Sequence, residues 1–267
     1  MPTKTVGGLE MYYELSGSGA AVVFISGVTQ DHVPWKVFQV PAFSGAGYQC
    51  LVFDNRDVGQ TGESPLGSYP VARFAQDTVE LTEQLGIRSF HLVGYSMGGM
   101  IAQELALAFP GRIRTLTLLA TAPKVDAYVA TLFATLKAAK LKLSLEEFLR
   151  TIGLRVFTHR FYENPDNVQK WMSRALANPY PQSAASFVRQ ADAILGHNTM
   201  DRLHGIAIPT HVVVGEEDIF VFPRFSQSLA ATIPAAKLTV IPEAGHAVAA
   251  ERATEFNRIA LEFLAMH

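Results

Sequence analysis

A chain of 267 residues, 49% hydrophobic and 17% charged, is long enough for one large buried core and has no stretch with the composition of a disordered tail. A formal net charge of -2, with no Lys/Arg run, argues against a polyanion partner and so against nucleic-acid binding. The one cysteine, Cys50, excludes an intramolecular disulfide and a thiolate metal cluster, and within Cys50-Leu51-Val52-Phe53 it reads as a small buried hydrophobe.

The N-terminal Met1 to Gly8 lacks the apolar core of a signal peptide. No uninterrupted apolar stretch reaches the roughly 18 residues of a membrane span, so the expected compartment is the cytosol. Leu9 to Leu15 reads as a strand ended by the turn residues Ser16-Gly17-Ser18-Gly19. Ala21 to Ile25 is a continuous apolar run, the pattern of a parallel strand covered on both faces. A helix is expected around Trp35 to Ser44, then a strand from Gln49 to Phe53 ending at Asp54-Asn55-Arg56. Across residues 71–86, Phe74, Val79, Leu81 and Leu85 keep near-helical spacing, and Gly86 supplies the stop. Phe90 to Val93 is a strand that runs straight into Gly94-Tyr95-Ser96. Met97 to Phe109 follows as a helix closed by Pro110-Gly111, and Thr115 to Ala120 is the next strand. This alternation calls for a parallel sheet wrapped by helices.

Between about Lys124 and Ile206 the rhythm changes to helical patterns alone: Leu132 to Leu143, Leu145 to Phe157, Asn167 to Ala177 and Ser183 to Leu195, with Pro165, Pro179 and Pro181 as breakers. It resumes with a strand Thr210 to Val214, a helix Pro223 to Ala231, a strand Lys237 to Ile241 and a last helix Ala250 to Met266. The simplest reading is a core of residues 1–123 and 207–267 with a helical cap, 124–206, inserted after the strand Thr115 to Ala120.

Gly94-Tyr95-Ser96-Met97-Gly98 matches Gly-x-Ser-x-Gly, in which a strained turn between strand and helix presents a serine and flanking glycines let the two elements approach. A serine hydroxyl needs a base in reach and a group that orients the base. In this arrangement the acid and then the histidine follow the serine along the chain. Glu243-Ala244-Gly245-His246, directly after the final strand, offers His246 as the base. Gly215-Glu216-Glu217-Asp218 leaves the strand Thr210 to Val214 and offers Asp218 as the acid, with Glu217 and Asp126 as alternatives. His91, His159, His197, His204, His211 and His267 read as surface or core residues. A tetrahedral oxyanion needs two preorganised donors. The Met97 N–H, at a helix N-terminus, is one; the Val28 N–H, in the loop Ser26-Gly27-Val28, is the other.

With these motifs in order, nearly the whole chain resembles the α/β-hydrolase superfamily, specifically its small esterase, lactonase and C–C hydrolase group. The residues carrying the resemblance are Ser26-Gly27-Val28, Asp54-Asn55-Arg56-Asp57-Val58-Gly59, Gly94 to Gly99, Gly215 to Asp218 and Ala244-Gly245-His246. The resemblance implies an α/β fold with a mostly parallel eight-stranded sheet flanked by helices, the cap following the sixth strand. Ser26 stands where the family usually has histidine. The stretch Asp54 to Ser64 resembles the group's Asp-x-Arg-Gly-x-Gly-x-Ser loop with an insertion and is given a structural role. Thr29-Gln30-Asp31-His32 is expected to cap the following helix more than to enter the site.

The function expected is cofactor-independent cleavage of a small apolar ester or lactone. The same triad acting on a carbon–carbon bond, or in perhydrolysis, is the alternative, and a ligand receptor retaining the triad is the reading from another class. Dehalogenase and epoxide hydrolase readings fare worse, because those relatives carry a carboxylate where this elbow has serine. No His-x-x-x-His pair and no Gly-x-Gly-x-x-Gly before a helix is present, so neither a metal nor a dinucleotide is expected. The cap aromatics Phe133, Phe148, Phe157, Phe161, Tyr162, Trp171 and Phe187 divide between roofing an apolar pocket and packing the cap onto the core.

Overall fold

Apolar strands alternating with helices assemble, in a computed structural model that describes residues 2–267, into one eight-stranded sheet. Strands β1 (Thr3–Val6) and β2 (Leu9–Ser16) form a hairpin through Gly7 and Gly8, both at positive φ. Next come β3 (Ala20–Ile25), helices α1 (Val33–Phe38) and α2 (Val40–Gly45), β4 (Tyr48–Phe53), α3 (Val71–Gln84), β5 (Phe90–Tyr95), α4 (Met97–Ala108) and β6 (Ile113–Leu119). Five helices then follow without a strand: α5 (Ala127–Lys142), α6 (Leu145–Val156), α7 (His159–Glu163), α8 (Pro165–Leu176) and α9 (Ala184–Leu195). The chain returns to the sheet with β7 (Thr210–Gly215), α10 (Pro223–Thr232), β8 (Lys237–Ile241), α11 (Val248–Glu251) and α12 (Ala253–Ala265).

The strand order is β1-β2-β4-β3-β5-β6-β7-β8, with β1 and β2 antiparallel to their neighbours and every other pairing parallel. Side chains alternate between two apolar layers, as the two-residue period of a strand requires. Val23, Ile25, Leu51 and Phe53 join α3, α4 and α10 on one face. Val22, Phe24, Cys50 and Val52 join Trp35, Phe43, Phe256 and Phe263 on the other.

The structure departs from the sequence pattern at three places. Strand β1 is an addition to it, because Thr3-Lys4-Thr5-Val6 buries only Val6 and has little apolar pattern to read. The helix Trp35 to Ser44 is two helices meeting at Gln39, since Pro34 and Pro41 each stand in a first turn and cannot donate to a preceding carbonyl. The helix Ala250 to Met266 is broken at Arg252, whose φ and ψ of -124° and 44° are not helical. The two ends of the helical stretch between β6 and β7 are clasped by one antiparallel bridge, Lys124 to Asn198.

Candidate active site

Ser96 sits between β5 and α4 with φ 55° and ψ -117°, a backbone state that costs a non-glycine residue about 1–3 kcal/mol. The surroundings impose it. Its N–H donates to the Leu119 carbonyl at 2.9 Å, and its own carbonyl accepts from Gly99 N–H at 2.9 Å and the Thr121 hydroxyl at 2.7 Å. A side chain at Gly94 would collide with the Gly98 carbonyl, and one at Gly98 with the Ile25 carbonyl oxygen, so both positions require glycine. The turn therefore packs strand, helix and the loop after β3 into direct contact.

His246 Nε2 lies 3.0 Å from Ser96 Oγ, and His246 Nδ1 lies 2.8 Å from Asp218 Oδ2. All three side chains are buried, at 7% exposure for Ser96, 3% for His246 and 1% for Asp218. The second Asp218 oxygen accepts the N–H groups of Phe220 at 2.9 Å and Val221 at 2.8 Å, which fixes the carboxylate. An ionised carboxylate only accepts, so the proton of a neutral imidazole resides on Nδ1 and the Nε2 lone pair faces the serine. The two loops are held in register by Glu217 N–H donating to Ala244 O at 2.9 Å, and a side chain at Gly215 would strike the Ala244 and Gly245 carbonyls. The Phe220 ring stacks on the imidazole with centroids 4.8 Å apart and planes at 17°, and Tyr95 packs against the same imidazole at 5.1 Å. Phe220 does not stand out in the sequence as part of a site, since it continues the apolar run Ile219 to Phe222, and Tyr95 occupies a variable position of the Gly-x-Ser-x-Gly motif, which does not mark it as a neighbour of the imidazole.

The loop after β3 faces the elbow: a Cβ at Gly27 would lie 3.1 Å from Ser96 Cβ. Met97 N–H, in the first turn of α4, has no intrahelical acceptor, and Val28 N–H bonds to no other described residue. Ser26, the departure from the family pattern, is fully buried. Its hydroxyl donates to Asp31 O at 3.1 Å, and its carbonyl accepts from Asn55 Nδ2 at 3.2 Å. Asp31 Oδ1 takes the Val33 N–H at the start of α1 at 3.0 Å, a capping contact. His32, whose Nδ1 lies 2.8 Å from Asp54 Oδ1, points away from that role.

The Asp54 to Ser64 loop is buried architecture. Arg56 bonds Asp77 at 2.6 and 2.8 Å, and Asp57 accepts from Arg189 Nε at 2.9 Å, Ser186 Oγ at 2.9 Å, Ser64 N–H at 2.8 Å and the Tyr69 hydroxyl. Burial by itself would raise the Asp57 carboxyl, but these donors outweigh it and hold the group below the usual carboxylate range. Two further polar residues from outside the motifs reach the site's supporting loops. Gln190 of α9 bonds the Thr29 N–H, and Glu251 of α11 bonds the Gly245 N–H. Gln190 stands 161 residues from Thr29, so no spacing rule could have marked it, whereas Glu251 follows Gly245 by six residues on the next helix, a spacing that no motif of the site singles out.

The alternative acids are placed elsewhere. Glu217 pairs with Arg160 at 2.5 Å, and Asp126 caps α5 through the Val129 N–H and pairs with Arg224. His91 bonds Thr115 and His211 bonds Thr239 within the sheet, while His197 is buried beside Glu104. Among the aromatics between β6 and β7, Phe148 and Phe187 pack on each other in the core. Phe133 packs edge-on to Phe220 at 5.9 Å and so reaches the imidazole through one ring. Phe157, Phe161 and Trp171 form a separate aromatic cluster.

The profile of the alpha/beta hydrolase fold family matches residues 20–253. The chain belongs to that family. This α/β-hydrolase is 31% identical over 263 residues to a Mycobacterium tuberculosis protein provisionally named non-heme bromoperoxidase BpoC, covering 96% of this chain and 98% of that one. The crystal structure of BpoC superposes with a TM-score of 0.88, at 28% identity over 96% of each chain. A protein of Azorhizobium caulinodans provisionally named carbamate hydrolase RutD is 26% identical over 98% of both chains. A solved structure of Est816, described as an N-acyl homoserine lactone degrading enzyme, aligns at 26% identity with a TM-score of 0.83, over 98% of this chain and 100% of that one. Among the described residues no helix is long and apolar enough to cross a membrane.

Proposed function

We propose that this α/β-hydrolase cleaves a small, largely apolar carboxylic ester or lactone through an acyl-enzyme, with Ser96 as nucleophile, His246 as general base and acid, and Asp218 as its orienting carboxylate. The observation that carries the reading is the continuous line Asp218 Oδ2, His246 Nδ1, His246 Nε2, Ser96 Oγ, at 2.8 and 3.0 Å, ending on a serine held in a strained turn. His246 removes the Ser96 proton as Oγ attacks the carbonyl carbon. Asp218 stabilises the imidazolium that forms, and the Met97 and Val28 N–H groups receive the oxyanion. His246 returns the proton to the leaving alkoxide, and water, deprotonated in turn by His246, releases the acid. Residues 124–206 serve as a cap, with Phe133 and Phe220 on the apolar side of the site. The lactone preference draws on the description of Est816.

The name of BpoC favours a second reading, perhydrolysis, in which hydrogen peroxide replaces water at the acyl-enzyme and the peracid product oxidises bromide. A panel of esters, lactones and thioesters of graded acyl length, each with and without peroxide and bromide and each with S96A as control, separates the two. Serine-dependent release of acid without peroxide supports the first reading; turnover that requires peroxide replaces it with the second; turnover undiminished in S96A overturns both.

A further inference from the structure

The loop facing Ser96 is closed by a four-residue turn in which Gln30 N–H donates to Gly27 O at 3.3 Å. Val28 keeps a negative φ and Thr29 takes +66°, the pattern of a type II turn, whose third position ordinarily needs glycine. A β-branched residue is disfavoured there, so something outside the turn must hold it. Gln190, fully buried on α9, supplies the hold: its Oε1 accepts the Thr29 N–H at 3.2 Å. The carboxamide cannot flip, because its Nε2 donates to the Arg56 carbonyl at 2.8 Å while Oε1 also accepts from Gln182 Nε2 at 2.9 Å.

Type I and type II turns differ by rotation of the central peptide, here Val28–Thr29. In the relaxed alternative Thr29 returns to negative φ, its N–H leaves Gln190, and the Val28 carbonyl swings toward the Gln190 oxygen, which repels it. We propose that Gln190 is a positioning residue that selects the strained form of this turn and so anchors the loop carrying the Val28 N–H beside Ser96, tying α9 to the oxyanion site. The flip moves the Val28 carbonyl and the Thr29 N–H, and loss of their anchor frees the adjoining Gly27–Val28 peptide to shift. The proposal rests on the serine mechanism above. It makes one cap side chain a condition of transition-state binding while it touches no substrate.

The test compares wild type, Q190M, Q190N, T29G and the double variant Q190M/T29G on p-nitrophenyl acetate, with phenylboronic acid as a tetrahedral adduct probe and circular dichroism as the folding control. In Q190M and Q190N, kcat falls about tenfold or more, KM stays within twofold, and the phenylboronic acid inhibition constant rises by a similar factor, a partial loss of one oxyanion donor. Glycine takes positive φ without help, so in the T29G background the Q190M loss shrinks below threefold. A rise in KM with kcat unchanged, or a loss undiminished in the T29G background, overturns the proposal. Q190N carries the same test if Q190M does not fold. Loss of turnover in S96A with unaltered Gln190 variants defeats this inference alone, and undiminished turnover in S96A defeats the serine mechanism with it.

Discussion

Glu251 Oε2 accepts the Gly245 N–H at 2.9 Å, one residue before His246, while its Oε1 accepts the N–H and the hydroxyl of Thr158 at 2.9 and 2.7 Å. One carboxylate therefore joins the His246 loop to the helical segment between β6 and β7, and Ala247 N–H donating to Val156 O at 3.0 Å repeats the connection on the other side. Both Glu251 oxygens face backbone donors, so an amide would turn its NH2 toward one of them. E251Q is therefore expected to lower kcat on a short ester about 5- to 10-fold, close to E251A, through misplacement of the base. Steady-state kinetics on E251Q checks this; kcat within twofold of wild type contradicts it.

The elbow tolerates no side chain at Gly98, where the obstacle is the Ile25 backbone carbonyl, which a rotamer change cannot move. G98A should lose activity and more than about 3 kcal/mol of stability, as overpacking against backbone does. Gly111 has open space around it and an ordinary φ, so G111A should be neutral or stabilising by about 0.4–1 kcal/mol. Urea unfolding of the pair reads out the contrast, and equal stabilities contradict it.

Burial pushes the imidazoles of His91, His197 and His211 down to about 4, so the folded protein keeps them neutral where an unfolded chain protonates them near 6.5. Between these values unfolding takes up protons, and stability falls as pH falls, by up to about 4 kcal/mol per pH unit if all three contribute fully. His32 works in the opposite direction: burial would lower it, but the hydrogen bond and charge of Asp54 outweigh that and raise it. Its contribution is complete below about 6.5 and is lost as pH rises through the raised folded value. Urea midpoints from pH 4.5 to 8.5 should show a steep acid limb that H211Q flattens by about one proton; a level curve between pH 5 and 6.5 contradicts the neutral burial.

Arg189 makes two bonds to the buried Asp57 carboxylate, at 2.9 and 2.5 Å, and binds α9 to the Asp54 to Ser64 loop. R189A leaves that carboxylate buried beside Tyr69, Ser64 and Ser186 alone, which should destabilise the protein by about 3–5 kcal/mol. R189K, with a point charge in place of a fork, should recover only part of the loss. A change under about 1 kcal/mol in chemical denaturation for R189A contradicts this account.

The sheet was legible wherever a strand is covered on both faces, as at Ala21 to Ile25 and Thr210 to Val214, because burial leaves an unbroken apolar run. Strand β1 pairs with β2 alone and left no such trace. Ser96, His246 and Asp218 stood out because strand ends with glycines around them are local signals. Gln190 did not, since its hydrogen bond to Thr29 spans 161 residues and depends on how helices dock, which periodicity does not encode; Glu251 did not, since its link to Thr158 spans 93 residues although Gly245 is only six away. Phe220 was hidden for another reason: stacking on an imidazole and filling a core demand the same residue type.

The most direct test of the central claim is covalent. A serine-reactive fluorophosphonate should add to one site, and peptide mass spectrometry should place the adduct on Ser96, with S96A taking up none and losing esterase turnover while keeping its circular dichroism spectrum. An unlabelled Ser96 together with undiminished turnover in S96A would contradict the serine mechanism.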